Sequence, residues 1–150
     1  MDIVSPATRS RMMSGIRSTN TKPELVVRKF LHSHGFRYRL GKKIENVVPD
    51  IVLTKYKVVV FVHGCFWHRH KNCKYTTTPK THSEKWKNKF YANVQRDSRA
   101  AQLLTDAGWR VVVVWECWEK RKLDISWLCD WIKMSDAAYI SWPDESSFWV

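Results

Sequence analysis

Two strongly strand-like runs, Val58 to Val62 and Arg110 to Trp115, are separated by a long stretch of helical periodicity, and this arrangement constrains the fold more than any other feature. From Ser83 the apolar positions fall at Trp86, Phe90, Val94, Ala101, Leu104 and Ala107, and Gly108 is placed to stop the helix. A helix that joins two apolar strands is a crossover, and crossovers set their strands parallel within one sheet. Both runs are continuously apolar, so the sheet is expected to be covered on both faces. A third apolar run, Ile51 to Leu53, reaches Val58 through a tight turn at Lys55 to Lys57. The runs at 50–53 and 58–62 are too apolar to be edge strands open to water.

Helix signals appear at both ends of this core. Thr21-Lys22-Pro23-Glu24 matches a capping box with proline in the first turn, and Leu25, Val27, Phe30, Leu31 and His34 follow at helical spacing before Gly35. Phe36, Tyr38 and Leu40 alternate with Arg37 and Arg39, which predicts a half-buried strand. A last amphipathic helix carries Ile125, Leu128, Trp131 and Ile132. The order is helix, three strands, helix, strand, helix: an α/β fold with a mixed central β-sheet flanked by helices. Residues 1–150 read as one domain. Residues 1–20, with Arg9, Arg11 and Arg17 around Met12, Met13 and Ile16, read equally as a basic arm or a short helix. The tail over 135–150 is acidic and aromatic at its end and has no assignable role.

Charge narrows the class of partner. Lys and Arg number 26 against 14 Asp and Glu, a net charge of +12, and there are nine Trp. Such a balance favours a polyanion, of which nucleic acid is the commonest. No stretch approaches the ~20 apolar residues of a membrane span, and no secretory pattern opens the chain. A cytoplasmic, nucleoid-associated protein is expected. The four cysteines, at 65, 73, 117 and 129, are then core residues or metal ligands rather than disulfides.

The chemistry concentrates between Pro49 and Cys73. Asp50 enters one strand, and the next ends at His63-Gly64, followed by Phe66, Trp67, His68, Arg69, His70 and Cys73. Core strands do not need imidazoles and a thiol at their tips, so this segment reads as an active site. Pro49-Asp50 at a strand head, with Glu24 on an upstream helix, resembles the PD-(D/E)xK nuclease core, in which the strand carboxylate binds a divalent metal. The next strand, VVVFVHG, lacks that core's acid and lysine, and on these residues alone a loop aspartate reads better. If the chain cuts phosphodiesters, His63 or His68 must stand in for the lysine.

His70 and Cys73 form a metal-type pair, Cys117 follows the last strand, and Asp97 is available on the intervening helix. Tetrahedral Zn²⁺ takes four ligands of this kind, but the spacing alone leaves zinc and plain packing equally open. Cys65 and Cys129 are expected to pack as small apolar groups. Phe66, Trp67 and Trp86 read either as core aromatics or, beside Lys85, Lys87 and Lys89, as rings that stack on or wedge between bases. Trp109, Trp115, Trp127 and Trp131 are left to the core.

The segment Phe61-Val62-His63-Gly64-Cys65-Phe66-Trp67-His68, followed by Asn93-Val94-Gln95-Arg96-Asp97, Gly108-Trp109-Arg110-Val111 and Val114-Trp115-Glu116-Cys117, resembles the very short patch repair (Vsr) endonucleases. Thr8 to Ser10 and Thr21 to Glu24 fit the same family, so the likeness spans roughly residues 5–120 in order. The resemblance implies a restriction-endonuclease-like core and an Mg²⁺-dependent endonuclease. Such an enzyme nicks one strand 5′ of the thymine in a T:G mismatch left by deamination of 5-methylcytosine. It implies that Asp50 and the backbone carbonyl of Val62 hold Mg²⁺, that His68 is the general base, and that His63 and Glu24 support the site. Phe66, Trp67 and Trp86 would intercalate beside the mismatch, the N-terminal segment would lie along the minor groove, and His70, Cys73, Asp97 and Cys117 would bind a structural Zn²⁺. A monomer on double-stranded DNA is implied, served by mismatch-repair proteins and a repair polymerase.

Two departures from the family pattern stand out. Lys71 and Asn72 separate the zinc histidine from its cysteine where the family has one residue, and Val62 stands where better-known members have Thr. The competing readings are a related restriction endonuclease that cuts both strands at an unmismatched site, and a non-catalytic, zinc-stabilised DNA-binding module.

Overall fold

The computed structural model describes residues 21–144, so the expectations for residues 1–20 and for the end of the tail, 145–150, lie outside the described residues. Helix α1 spans Lys22–Ser33; the Glu24 N–H donates to Thr21 Oγ1 at 3.4 Å, and Pro23 sits in the first turn. Strand β1, Ile51–Leu53, leads through a 3₁₀ turn at Thr54–Tyr56 into β2, Val58–His63. Helix α2 is the single turn Cys65–His68, and α3 runs unbroken over Ser83–Asp106. Then come β3 (Arg110–Trp115), the turn of helix α4 (Cys117–Lys120), α5 (Trp127–Met134) and β4 (Tyr139–Trp142).

The four strands pair in the order β1-β2-β3-β4. β1 is antiparallel to β2, with Ile51 opposite Val60, and β2 is parallel to β3, with Val60 opposite Val112. The crossover expected between the two strongest apolar runs is therefore present, with α3 as its helix, and the sheet is mixed.

Strands β1, β2 and β3 bury both their faces because alternate residues serve different layers. Ile51, Leu53, Val58, Val60, Val112 and Val114 pack with Val27 and Leu31 of α1 and with Leu128 and Ile132 of α5. Val52, Val59, Val111 and Val113 face the other way, onto Leu104 and Ala101 of α3. Full burial of one such aliphatic side chain stabilises by about 1.5–3 kcal/mol, so these layers carry the fold.

Three expectations change. Phe36 to Leu40 is not a strand: only Arg39 pairs, with Val52, through bonds of 2.8 and 3.0 Å. Gly41 (φ +68) turns the chain away, and a reversal follows, with Glu45 and Asn46 in the left-handed region and Ile44 bonded to Val47. β1 ends the four-strand order yet is fully buried, because Arg39 pairs along its outer side. A fourth strand, β4, lies inside the segment that had no assigned role, parallel to β3 with Val112 opposite Ile140. Its four residues, Tyr139–Trp142, are too short and mixed to announce a strand; the open side of β3 recruits them after α5 crosses back.

Candidate active site and metal centre

The C-terminal end of β2 is where the functional side chains meet. Asp50 lies just ahead of β1, and the antiparallel register brings it beside the last turn of β2, where its Oδ2 accepts the Val62 N–H at 2.7 Å. Glu24, 2% exposed, reaches the same place from the first turn of α1 and is bonded to Arg28 one helical turn on. Burial pushes the Asp50 carboxyl up to about 7; the Val62 N–H opposes that shift, and the adjoining Glu24 carboxyl adds to it. Two carboxyls packed together in a desolvated corner form an arrangement that a divalent cation relieves, so the donor set fits Mg²⁺.

Next to them stand the imidazoles. His63 closes β2 and His68 closes α2, and their rings stack at 4.0 Å and 8°. His63 is buried, its Nδ1 meets no partner among the described residues, and burial, followed by the neighbouring His68 charge, lowers its pKa to about 3. It is therefore a neutral ring at any physiological pH. His68 Nδ1 lies 2.6 Å from Asp97 Oδ2 on α3. A carboxylate only accepts, so this bond puts the proton on Nδ1 and leaves Nε2 as the basic nitrogen.

Behind this pair is a second cluster. The ligand atoms of Cys65, His70, Cys73 and Cys117 all lie within 4.8 Å of one another, and all four residues are buried. His70 Nδ1 is 3.5 Å from the sulfurs of both Cys65 and Cys117. Its Nε2 lies 2.7 Å from the Pro143 carbonyl, and its ring stacks on Trp115 at 4.3 Å. The Cys117 thiol beside Cys65 holds the latter far above the usual thiol range. Three crowded thiols and an imidazole whose outer nitrogen is tied to a carbonyl fit tetrahedral Zn²⁺, which takes thiolates and an oriented histidine.

The expected zinc ligand set is corrected here. Asp97 faces His68 rather than the thiols, because α3 passes over the end of α2 and not over the Cys73 loop. Cys65, expected to pack as a small apolar residue, stands with His70, Cys73 and Cys117 instead. The two residues between His70 and Cys73 are accommodated by a left-handed Asn72, φ 55, so the longer spacing still closes the cluster. The signal available in the sequence was Cys65-x₄-His70-x₂-Cys73, three donor-type residues in one short loop.

Phe66, Trp67 and Trp86 are brought together. Phe66 meets Trp67 edge-on at 5.0 Å and Trp86 at 5.8 Å, with Phe90 buried behind them. Lys89 lies over Trp67 at 5.1 Å, and Asn93 donates to the Trp67 carbonyl at 3.1 Å. Trp115, left to the core, also lines this region, edge-on to His63 at 5.2 Å. A cleft of about 780 Å³ opens on the α3 side, with His63, His68 and Asp97 in its wall.

Comparison with known proteins gives a consistent result. The family model described as DNA mismatch endonuclease Vsr matches residues 1–75. The type II nicking enzyme V.XorIIP of Xanthomonas oryzae pv. oryzae is 47% identical over 116 residues, covering 77% of this chain and 85% of that protein. The DNA mismatch endonuclease Vsr of Escherichia coli is 39% identical over 116 residues, 77% of this chain and 74% of its own length. Among solved structures, the catalytic domain of the homing endonuclease I-Bth0305I superposes with a TM-score of 0.52 at 18% identity, covering 75% of this chain and 94% of that one. That last likeness is one of fold, and it places the sheet in the restriction-endonuclease-like class.

Proposed function

We propose a reaction from the premise that this chain belongs to the Vsr family of DNA mismatch endonucleases. The reaction is a hydrolytic nick of one strand, 5′ of the thymine in a T:G mismatch. The observation that carries it is the convergence at the end of β2 of a carboxylate pair, Asp50 with Glu24, and an oriented base, His68 with Asp97.

Asp50, with the main-chain carbonyl of Val62, would hold Mg²⁺, and Glu24 supports that corner, itself kept in place by Arg28. The bound cation supplies charge neutralisation at the scissile phosphate and orientation of the leaving oxygen. His68 Nε2 takes a proton from the attacking water, and Asp97 stabilises the imidazolium that results. The water oxygen bonds to phosphorus as the phosphorus–oxygen bond to the leaving strand breaks. His63, neutral and stacked on His68, holds the base ring flat. Cys65, His70, Cys73 and Cys117 would hold a structural Zn²⁺ that ties the loop after α2 to α4.

Recognition falls to the aromatics. Inserting Phe66, Trp67 and Trp86 into a base step takes on the order of a few kcal/mol, least where pairing is already poor. A T:G wobble is such a place. The net charge of +12 supplies the attraction to duplex DNA. The enzyme acts as a monomer, and its nick is an entry point for a repair polymerase and mismatch-repair proteins. Among the described residues no helix is long and apolar enough to cross a membrane.

One experiment tests the whole reading: incubate end-labelled duplexes bearing T:G, T:A or C:G at one position with the protein and Mg²⁺. Nicking confined to T:G, and lost in Asp50→Ala without loss of binding, is expected. Equal cutting of all three, or linear products from plasmid, would overturn it.

A further inference from the structure

The turn that carries Phe66, Trp67 and His68 is closed by a residue that none of these roles uses. Arg69 caps α2 in the left-handed region, φ 58 and ψ 62, a conformation that L side chains rarely adopt and where glycine or asparagine is the usual choice. Its side chain offers a reason for an arginine there. Nη1 donates to the carbonyls of Phe66 (3.3 Å) and Thr77 (2.8 Å), and Nη2 donates to Thr78 Oγ1 (2.8 Å). The guanidinium carbon lies 4.0 Å from the centroid of the Phe90 ring. Phe90 in turn meets Phe66 at 5.2 Å and Trp86 at 5.6 Å. One planar fork thus joins α2, the 77–78 loop and α3 behind the aromatic cluster. With both terminal nitrogens bonded inside the protein, this guanidinium is a fixture of the fold rather than a ready phosphate ligand.

We propose that Arg69 is a positioning residue that holds Phe66 and Trp67 pre-set for insertion into the base step. The proposal rests on the wedge role given to these aromatics above. Its physical content is pre-organisation: rings already held in the inserting attitude lose little freedom on entering DNA, whereas rings on a loose turn must be ordered at that moment. Lysine at 69 could keep a cation over Phe90 but could not make the fork, so Arg69→Lys separates charge from geometry.

The test uses full-length protein and a T:G duplex carrying 2-aminopurine beside the mismatch, whose fluorescence rises when the step opens. Arg69→Lys should move the midpoint of that rise to about tenfold higher protein, the usual consequence of losing bonds to a charged donor. Thr78→Val, which removes one tie only, should move it by a smaller factor in the same direction. The nicking rate at saturating protein should fall by a smaller factor than the midpoint moves, since the bond from His68 to Asp97 is untouched. In a protein already lacking the rings, Phe66→Ala with Trp67→Ala, Arg69→Lys should add no further loss of affinity for the same duplex, end-labelled, since nothing is left to pre-set. An unchanged midpoint, an undiminished loss of affinity in the background lacking the rings, or a saturating rate that falls as far as the midpoint moves overturns the proposal. Zinc content and thermal midpoint check that each variant is folded; if Arg69→Lys fails there, Thr78→Val decides alone. If wild-type protein gives no fluorescence rise, the wedge reading itself is wrong; if wild type responds and the variants match it, only the role of Arg69 fails.

Discussion

Replacing Asp97 by asparagine separates two roles that this residue could hold, and the structure gives the size of the effect. Asp97→Asn keeps the shape of the side chain and removes its charge. The 2.6 Å bond to His68 Nδ1 is then either retained as a neutral one or inverted, with the amide donating and the imidazole forced into the wrong tautomer. Hydrogen bonds to charged groups contribute roughly 1.5–3 kcal/mol, which converts to a factor of about 10 to 150 in rate. That does not exceed the roughly 10² to 10⁴ that a positioned general base supplies in total, as it must not if Asp97 only assists His68. Single-turnover nicking of a T:G duplex should therefore slow by one to two orders of magnitude, with binding to the same duplex unchanged. Zinc, measured on the purified protein, should stay at one per chain. Loss of zinc in Asp97→Asn would return this residue to the metal site. A rate within about twofold of wild type would show that the imidazole needs no partner.

Cys65→Ser is expected to do the reverse: zinc falls well below one per chain and the protein unfolds at lower temperature, because the binding energy of a structural metal is folding energy; retention of full zinc would remove Cys65 from the cluster. Leu31→Ala, at a fully buried position between α1 and the sheet, should cost about 2–5 kcal/mol in urea denaturation, with the zinc content of the folded protein unaltered; a loss below about 1 kcal/mol would contradict the packing described. Affinity for undamaged duplex should fall steeply with salt, each phosphate contact adding about 0.9 to the slope of log K against log salt. A flat titration would remove DNA as the partner of the basic surface.

Much of this protein can be read from local pattern. The capping box at Thr21 to Glu24, the helical period from Ser83 to Gly108 and the valine runs at 58–62 and 111–114 each announce themselves, since propensity and periodicity act over a few residues. The same runs imply the parallel crossover, because a long helix between two apolar strands leaves few alternatives. The concentration of histidine, cysteine and aromatic residues after Gly64 marks the site for the same reason: it is contiguous in the chain.

What only the tertiary structure decides is which side chain faces which. Asp97 lies 29 residues from His68, and nothing local to it separates a zinc ligand from a partner for the base; the path of α3 over the end of α2 makes the choice. Cys65 and Cys129 look alike as buried small residues, yet one faces His70 and Cys117 while the other packs at the edge of the α5 core. β4 exists because β3 has an open side after α5 returns, and Arg39 forms a bridge without a strand because Gly41 turns the chain away. Pattern reports the faces an element must bury; register, crossing path and the free edge of a neighbour set its partners, and those are properties of the assembled sheet.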